Sequence, residues 1–289
     1  MRTSLMPEVH RKADRRGEIP DFLGSHNPAC ANICAATGEP DVVQSSRTLS
    51  RRPGSLATGH RSPIADCCLL LTLLLLLMAS ASARAEAPFV QLDSPATTVG
   101  YLASLLINEV PFPGERGYES EADTRAAMLQ ILWVLDSRIH QIPPGYLQRH
   151  VAGVTSQDII DIITGTGGRR QCEGFYRNAS GQFVTDQRVQ ERIQNLLRIA
   201  NSGGKPGHFA GLLNHAQGLA CAYVKGGVQE ADRYAGLKQV GPVRVTGHAY
   251  AWMTDVDANH PGGNFVTIPD NDDGSLGGNR FFTLKEVAK

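Results

Sequence analysis

The chain is short of unbalanced charge, of long apolar runs and of cysteine. Lysine plus arginine and aspartate plus glutamate number 28 each, and no basic stripe stands out along the chain. Nucleic acid is therefore not an expected partner, and neither is an anionic membrane surface. The longest apolar stretch, Leu69–Met78, spans ten residues interrupted only by Thr72. A bilayer needs about 20, so no stable membrane span is expected. Of six cysteines, Cys30, Cys34, Cys67 and Cys68 lie before residue 86, which leaves Cys172 and Cys221.

What the first part of the chain does contain divides it. Residues 1–65 are rich in Arg, Ser, Pro and Gly and carry no apolar periodicity, so they cannot bury enough surface to fold. They read as a disordered extension or a start set too early. Residues 66–85 read as a signal peptide: Leu69–Met78 fits the apolar region, and Ala83-Arg84-Ala85 is an A-x-A cleavage site. Export to the periplasm or beyond follows. In an exported chain the pair Cys172 and Cys221 reads as one disulfide. A free, reactive Cys172 with His208, His215 or His248 as base is the alternative.

Residues 86–98 read as a leader and 99–289 as one domain, near neutral, with 18 Lys plus Arg against 21 Asp plus Glu from residue 86 onward. Ser94 or Thr97 can cap a helix through VGYLASLLINEV. Ser120 or Asp123 can cap a helix over 121–140, whose ILWVL segment reads as the central core, Trp133 included. Further helices are expected at 156–163, from Thr185 or Asp186 to about Ala200, at 206–225 and at 228–235, with a loop over 169–182. From Pro242 the pattern changes to strands, in VRVTGHAYAWM and NRFFTL. The expected class is mainly α, with a short C-terminal β portion.

Metal and cofactor signals are weak. His208 and His215 miss the i, i+4 spacing of zinc helices, and His248 and His260 have no partner spacing. Asp270-Asn271-Asp272-Asp273-Gly274 has its Gly at the fifth place rather than the sixth that a calcium loop requires, so it reads as a solvated turn. Asn178-Ala179-Ser180 matches a glycosylation sequon. No cofactor is expected.

The sharpest feature is SLLINEVPFPGERG, residues 104–117. An apolar helix ends on Glu109, where its own dipole is negative, and Pro111 and Pro113 forbid its extension. An anion is disfavoured there, and burial behind Leu105, Leu106 and Phe112 would disfavour it further. Both push a carboxyl toward its protonated form, which a general acid needs near neutral pH. A surface Glu paired with Arg116 or Arg125 is the bland reading.

After Glu109 come, in order, a helix ending VLDSRI, then IIDIITG, QCEGFY, LACAYVKGGVQEADRYAG and GGNRFF. This order resembles the SleB-like cell wall hydrolases, the spore cortex-lytic group, over about Val99–Leu284. The resemblance implies a lysozyme-like, mostly helical domain that cuts peptidoglycan glycan strands by lytic transglycosylation, with Glu109 at the family's catalytic glutamate. The loop after Glu109 is longer than the family's, which makes Glu115 a second candidate. Glu173-Gly174-Phe175-Tyr176 stands in place of the family's Gln-Phe-Ser, and Arg280 in place of its final His. Phe175, Tyr176, Tyr250 and Trp252 are the expected sugar-stacking residues of the cleft. The other reading is an exported peptidoglycan-binding or scaffold domain of the same fold without catalysis.

Overall fold

Thr97 sets the first helix. Its backbone is extended and its hydroxyl accepts from the Gly100 N–H at 3.1 Å, which satisfies one of the orphan donors of a helix start. α1 then runs Thr98–Asn108. The computed structural model describes residues 89–165, 172–202, 207–254, 260–271 and 274–287. The expected extension and signal peptide lie outside the described residues. Every residue of α1 from Gly100 to Ile107 is buried, the mark of a helix with protein on all sides. Gly100 is needed because a Cβ there would lie 2.2 Å from the Ser94 carbonyl oxygen.

The helix that carries ILWVL also lies in the core. That helix, α2, Glu121–His140, is capped by Ser120, whose Oγ accepts from the Asp123 N–H at 3.0 Å. It buries Met128, Ile131, Leu132 and Leu135 but leaves Trp133 partly exposed. Pro143-Pro144 is followed by a short α3, Gln148–Ala152, closed by Gly153 at φ 75°. α4, Ile159–Thr164, begins at Asp158, which accepts from the Ile160 N–H at 2.9 Å. It starts three residues later than the helix expected from residue 156.

The expected loop over 169–182 holds a strand. β1, Phe175–Arg177, pairs antiparallel with β2, Phe183–Thr185. Asn178 organises the turn between them: its Oδ1 accepts from the Ser180 and Gln182 N–H groups, each at 3.0 Å. The sequon residue is thus a hairpin residue. α5, Gln187–Ala200, is capped by Asp186, and α6 spans Gly207–Val224. α1 packs against α6, α5 and α2. The segment before α1 is not a loose leader throughout, because Val90 is buried and both its backbone polar groups bond to the Asn201 side chain, at 2.8 and 3.0 Å.

No helix forms over 228–235; the chain turns there, and Asp232 accepts from the Tyr234 N–H at 2.9 Å. An antiparallel sheet follows, built of β3, Leu237–Val240, β4, Val243–Thr254, β5, Phe265–Thr267, and β6, Asn279–Lys285, in the spatial order β3-β4-β6-β5. β4 lies against α2 and buries Ala249, Tyr250 and Ala251. Among the described residues the molecule is mixed α+β, with six helices and two small antiparallel sheets. No helix among them is long and apolar enough to cross a membrane. The turn expected of Asp270 is not simply solvated: its carboxylate is buried and accepts from the Tyr234 hydroxyl at 2.7 Å.

Candidate active site

α1 ends because Glu109 N–H still finds the Leu105 carbonyl, at 3.0 Å, while Pro111 and Pro113 have no N–H to continue the ladder. Two distant elements complete this end. From α5, Arg192 donates to the Val110 carbonyl at 2.9 Å and to the Ile107 carbonyl, so a cation does stand at the helix C-terminus. From β6, Asn279 donates to the Glu109 carbonyl at 2.9 Å. The two glycines before it are forced by contact. A Cβ on Gly277 would lie 2.5 Å from the Asp123 carbonyl oxygen, and one on Gly278 would lie 2.9 Å from Pro111 Cγ. GGN is thus a wedge driven against the Glu109 turn.

The Glu109 carboxyl opens on a cavity of about 450 Å³ that is also lined by Asn108, Arg138, Cys172, Glu173 and Trp252. Trp252, from β4, donates its Nε1–H to Oε2 at 3.0 Å, and Asn108 donates to Oε1 at 3.3 Å. Burial raises the Glu109 pKa above the ordinary carboxylate value. The Trp252 and Asn108 bonds and the Arg192 charge pull it back, and Glu173 pushes the same way as burial. Burial is the largest of these effects.

A second cavity of about 300 Å³ adjoins the first and shares Asn108, Arg192 and Thr254 with it; Pro111, Glu115 and Gly278 lie on its far wall. Glu115 is placed here, but its carboxylate is engaged. It accepts from the Phe112 N–H at 2.8 Å and pairs with Arg192 at 2.6 Å, which makes it the anchor of Arg192.

Of the four expected cleft aromatics, Trp252 alone lines either cavity. Phe175 and Tyr250 are corrected to core residues. Both are fully buried, Phe175 against Tyr101 with ring centroids 5.2 Å apart, and Tyr250 with its hydroxyl donating to the Gln141 carbonyl at 2.6 Å. Neither has a face left for a sugar. Tyr176, on β1, is partly exposed and lines neither cavity.

The expected disulfide is not formed. Cys172 and Cys221 are both buried free thiols, one on the cavity floor and one within α6. Cys172 is a poor nucleophile in this setting. Burial pushes its thiol well up and the neighbouring Glu109 adds to that, while only Arg138 opposes them. Its expected bases are elsewhere: His208 bonds to Glu121 and His248 to Asp232, each at 2.8 Å.

Sequence reasoning missed Arg138 and Arg192. Arg138 lies on α2, buried, with Nε donating to the Tyr250 carbonyl at 2.8 Å and its guanidinium carbon 5.3 Å from the Trp252 ring centre. The signal for it was present in VLDSRI, where a lone arginine falls among buried residues. Nothing local marks Arg192. No family model, no curated protein and no solved structure matches this chain.

Proposed function

We propose that the chain is an exported peptidoglycan-cleaving glycosidase, a lytic transglycosylase on a lysozyme-like helical domain, with Glu109 as its acid and base. The observation that carries this is a carboxyl held toward its protonated form, bonded to Trp252, in a cavity that continues into a second one. Glu109 gives its proton to the glycosidic oxygen as the C1–O bond breaks and its electron pair goes to that oxygen. Positive charge builds on the sugar ring. The Glu109 carboxylate then takes the proton of the muramyl 6-hydroxyl, and O6 closes on C1 to give the anhydro product. The sugar's own hydroxyl stands in for water, so the reaction needs no second carboxylate. Trp252 both holds the carboxyl and offers the cleft its one aromatic wall.

The test is digestion of purified peptidoglycan, scored by turbidity and by anhydro-muropeptides. Glu109→Gln should lower the rate by roughly 10²–10⁴-fold, the usual contribution of a positioned acid. Glu115→Gln should retain the anhydro product. Retained activity in the Glu109 variant, with loss in the Glu115 variant, would transfer the role to Glu115. Strand binding without any product would leave the binding-domain reading.

A further inference from the structure

Arg138 has a charge that its surroundings do not neutralise. It is 5% exposed, and no carboxylate lies within ion-pair distance among the described residues. Its Nε is used by the Tyr250 carbonyl, but its Nη1 is buried with no hydrogen-bond partner. Burying a guanidinium in this way is costly unless something pairs with it. The carboxyl sharing its cavity, Glu109, is held toward neutrality and is already bonded to Trp252 and Asn108. The remaining charged residues on the cavity wall are Arg188, Arg192 and Glu173. Glu173 pairs with Arg188 at 3.1 Å on the exposed rim. With Glu109 protonated the wall carries three cations against one anion, and the deepest cation is the one left unpaired.

We propose that Arg138 is the anion-binding residue of the cleft and that the cavity beside Glu109 takes a sugar bearing a free carboxylate. The planar guanidinium suits a carboxylate better than a neutral acyl group, and the cavity is of a size to hold a substituted sugar ring. This rests on the glycan reading above. In a peptidoglycan strand the lactyl carboxylate on each muramyl ring is consumed in an amide bond wherever a stem peptide is attached. It is free only on peptide-free strands. The substrate class is therefore peptide-free glycan, cut next to a muramyl ring whose lactyl carboxylate sits on Arg138. An anion in that place also favours the protonated form of Glu109 and stabilises the positive charge that develops on the ring.

The experiment measures binding of three soluble strand preparations to the Glu109→Gln protein: peptide-free, peptide-free with the lactyl carboxylates capped as methylamides, and peptide-bearing. Peptide-free strands should bind at least about tenfold tighter than the capped ones, the order expected of one charge-assisted contact. Peptide-bearing strands should bind like the capped ones; tight binding of peptide-bearing strands would assign the anion to the stem peptide and overturn the proposal. In Glu109→Gln/Arg138→Gln the preference should vanish, and Arg138→Lys should restore part of it. The comparison of the three strands uses protein with Arg138 intact, so it stands even if the double variant folds poorly. Equal binding of all three would overturn this inference while leaving the glycan reading in place. Binding of none would remove both.

Discussion

Glu109 departs from the usual behaviour of a surface carboxylate, and its proton has consequences beyond the proposed catalysis. Its folded pKa is raised, mainly by burial, so the folded state holds this proton more tightly than the unfolded one. Its contribution to stability is therefore fully present below the ordinary carboxylate pKa and is lost as pH rises through the raised value. Glu109→Gln keeps an acceptor for Trp252 and never ionises, so it should melt on the order of a few degrees higher than wild type at neutral and alkaline pH. That difference should close in acid. Melting curves across pH check this, and a constant difference would mean that the carboxyl is not perturbed. Two neighbours tune the same proton in opposite directions. Glu173 raises the pKa and Trp252 lowers it. In Glu173→Gln the alkaline fall of activity should move to lower pH, and in Trp252→Phe to higher pH. The position of Glu109 could be read from sequence because an apolar run, a carboxylate and two prolines are adjacent. The aromatics could not be sorted in the same way. Tyr250 and Trp252 lie two residues apart on β4, yet one is core and the other lines the cavity, and the register shift between Ala249 and Ala251 interrupts the alternation that would group them.

At the scale of elements, the end of α1 is held by groups remote in sequence. Arg192 spans the Ile107 and Val110 carbonyls and the Glu115 carboxylate, and its guanidinium carbon lies 5.6 Å from the Phe112 ring centre. Removing it leaves two carbonyls without their donor and the Glu115 carboxylate without its cation, so Arg192→Ala should cost about 2–3 kcal/mol in denaturant unfolding. Arg192→Lys should recover only part, because an ammonium lacks the fork that reaches all three. Gly277→Ala should cost at least as much, since its Cβ meets the Asp123 carbonyl oxygen from a backbone at φ +51. Helices with a local cap and a continuous apolar face, such as those begun by Thr97, Ser120 and Asp186, were legible because the cap and the face lie within one window. The β1–β2 hairpin was not, because its strands are three residues each and their burial comes from Tyr101 and α4 rather than from their own alternation. Nor was the irregular path at 228–235, where the Asp232 carboxylate bonds His248 on β4 at 2.8 Å.

Across the whole molecule, the site lies on the seam between the helical part and the sheet. Glu109, Arg138 and Arg192 come from α1, α2 and α5, while Trp252 and Asn279 come from β4 and β6. No covalent link crosses this seam among the described residues, as both cysteines there are free, and melting curves with and without reductant should coincide. Crossing it are the β4–α2 packing, the bonds that join Tyr250 to Arg138 and to Gln141, and two hydrogen bonds to one residue, Trp252 to the Glu109 side chain and Asn279 to its backbone. Asn279 is wholly buried, so Asn279→Ala leaves the Glu109 carbonyl without its donor and should cost about 1–3 kcal/mol. Its effect on activity should exceed what that loss of stability accounts for, because the turn that aims the carboxyl is released from the sheet. Leu213→Ala in α6 is the control, a core deletion expected to cost about 2–5 kcal/mol with no contact to the cavity. Assayed at a temperature where both variants remain folded, the α6 variant should keep the rate of the proposed peptidoglycan cleavage and Asn279→Ala should lose most of kcat. Equal rates in the two would mean that the sheet only covers the helices, and that the GGN wedge does not aim Glu109.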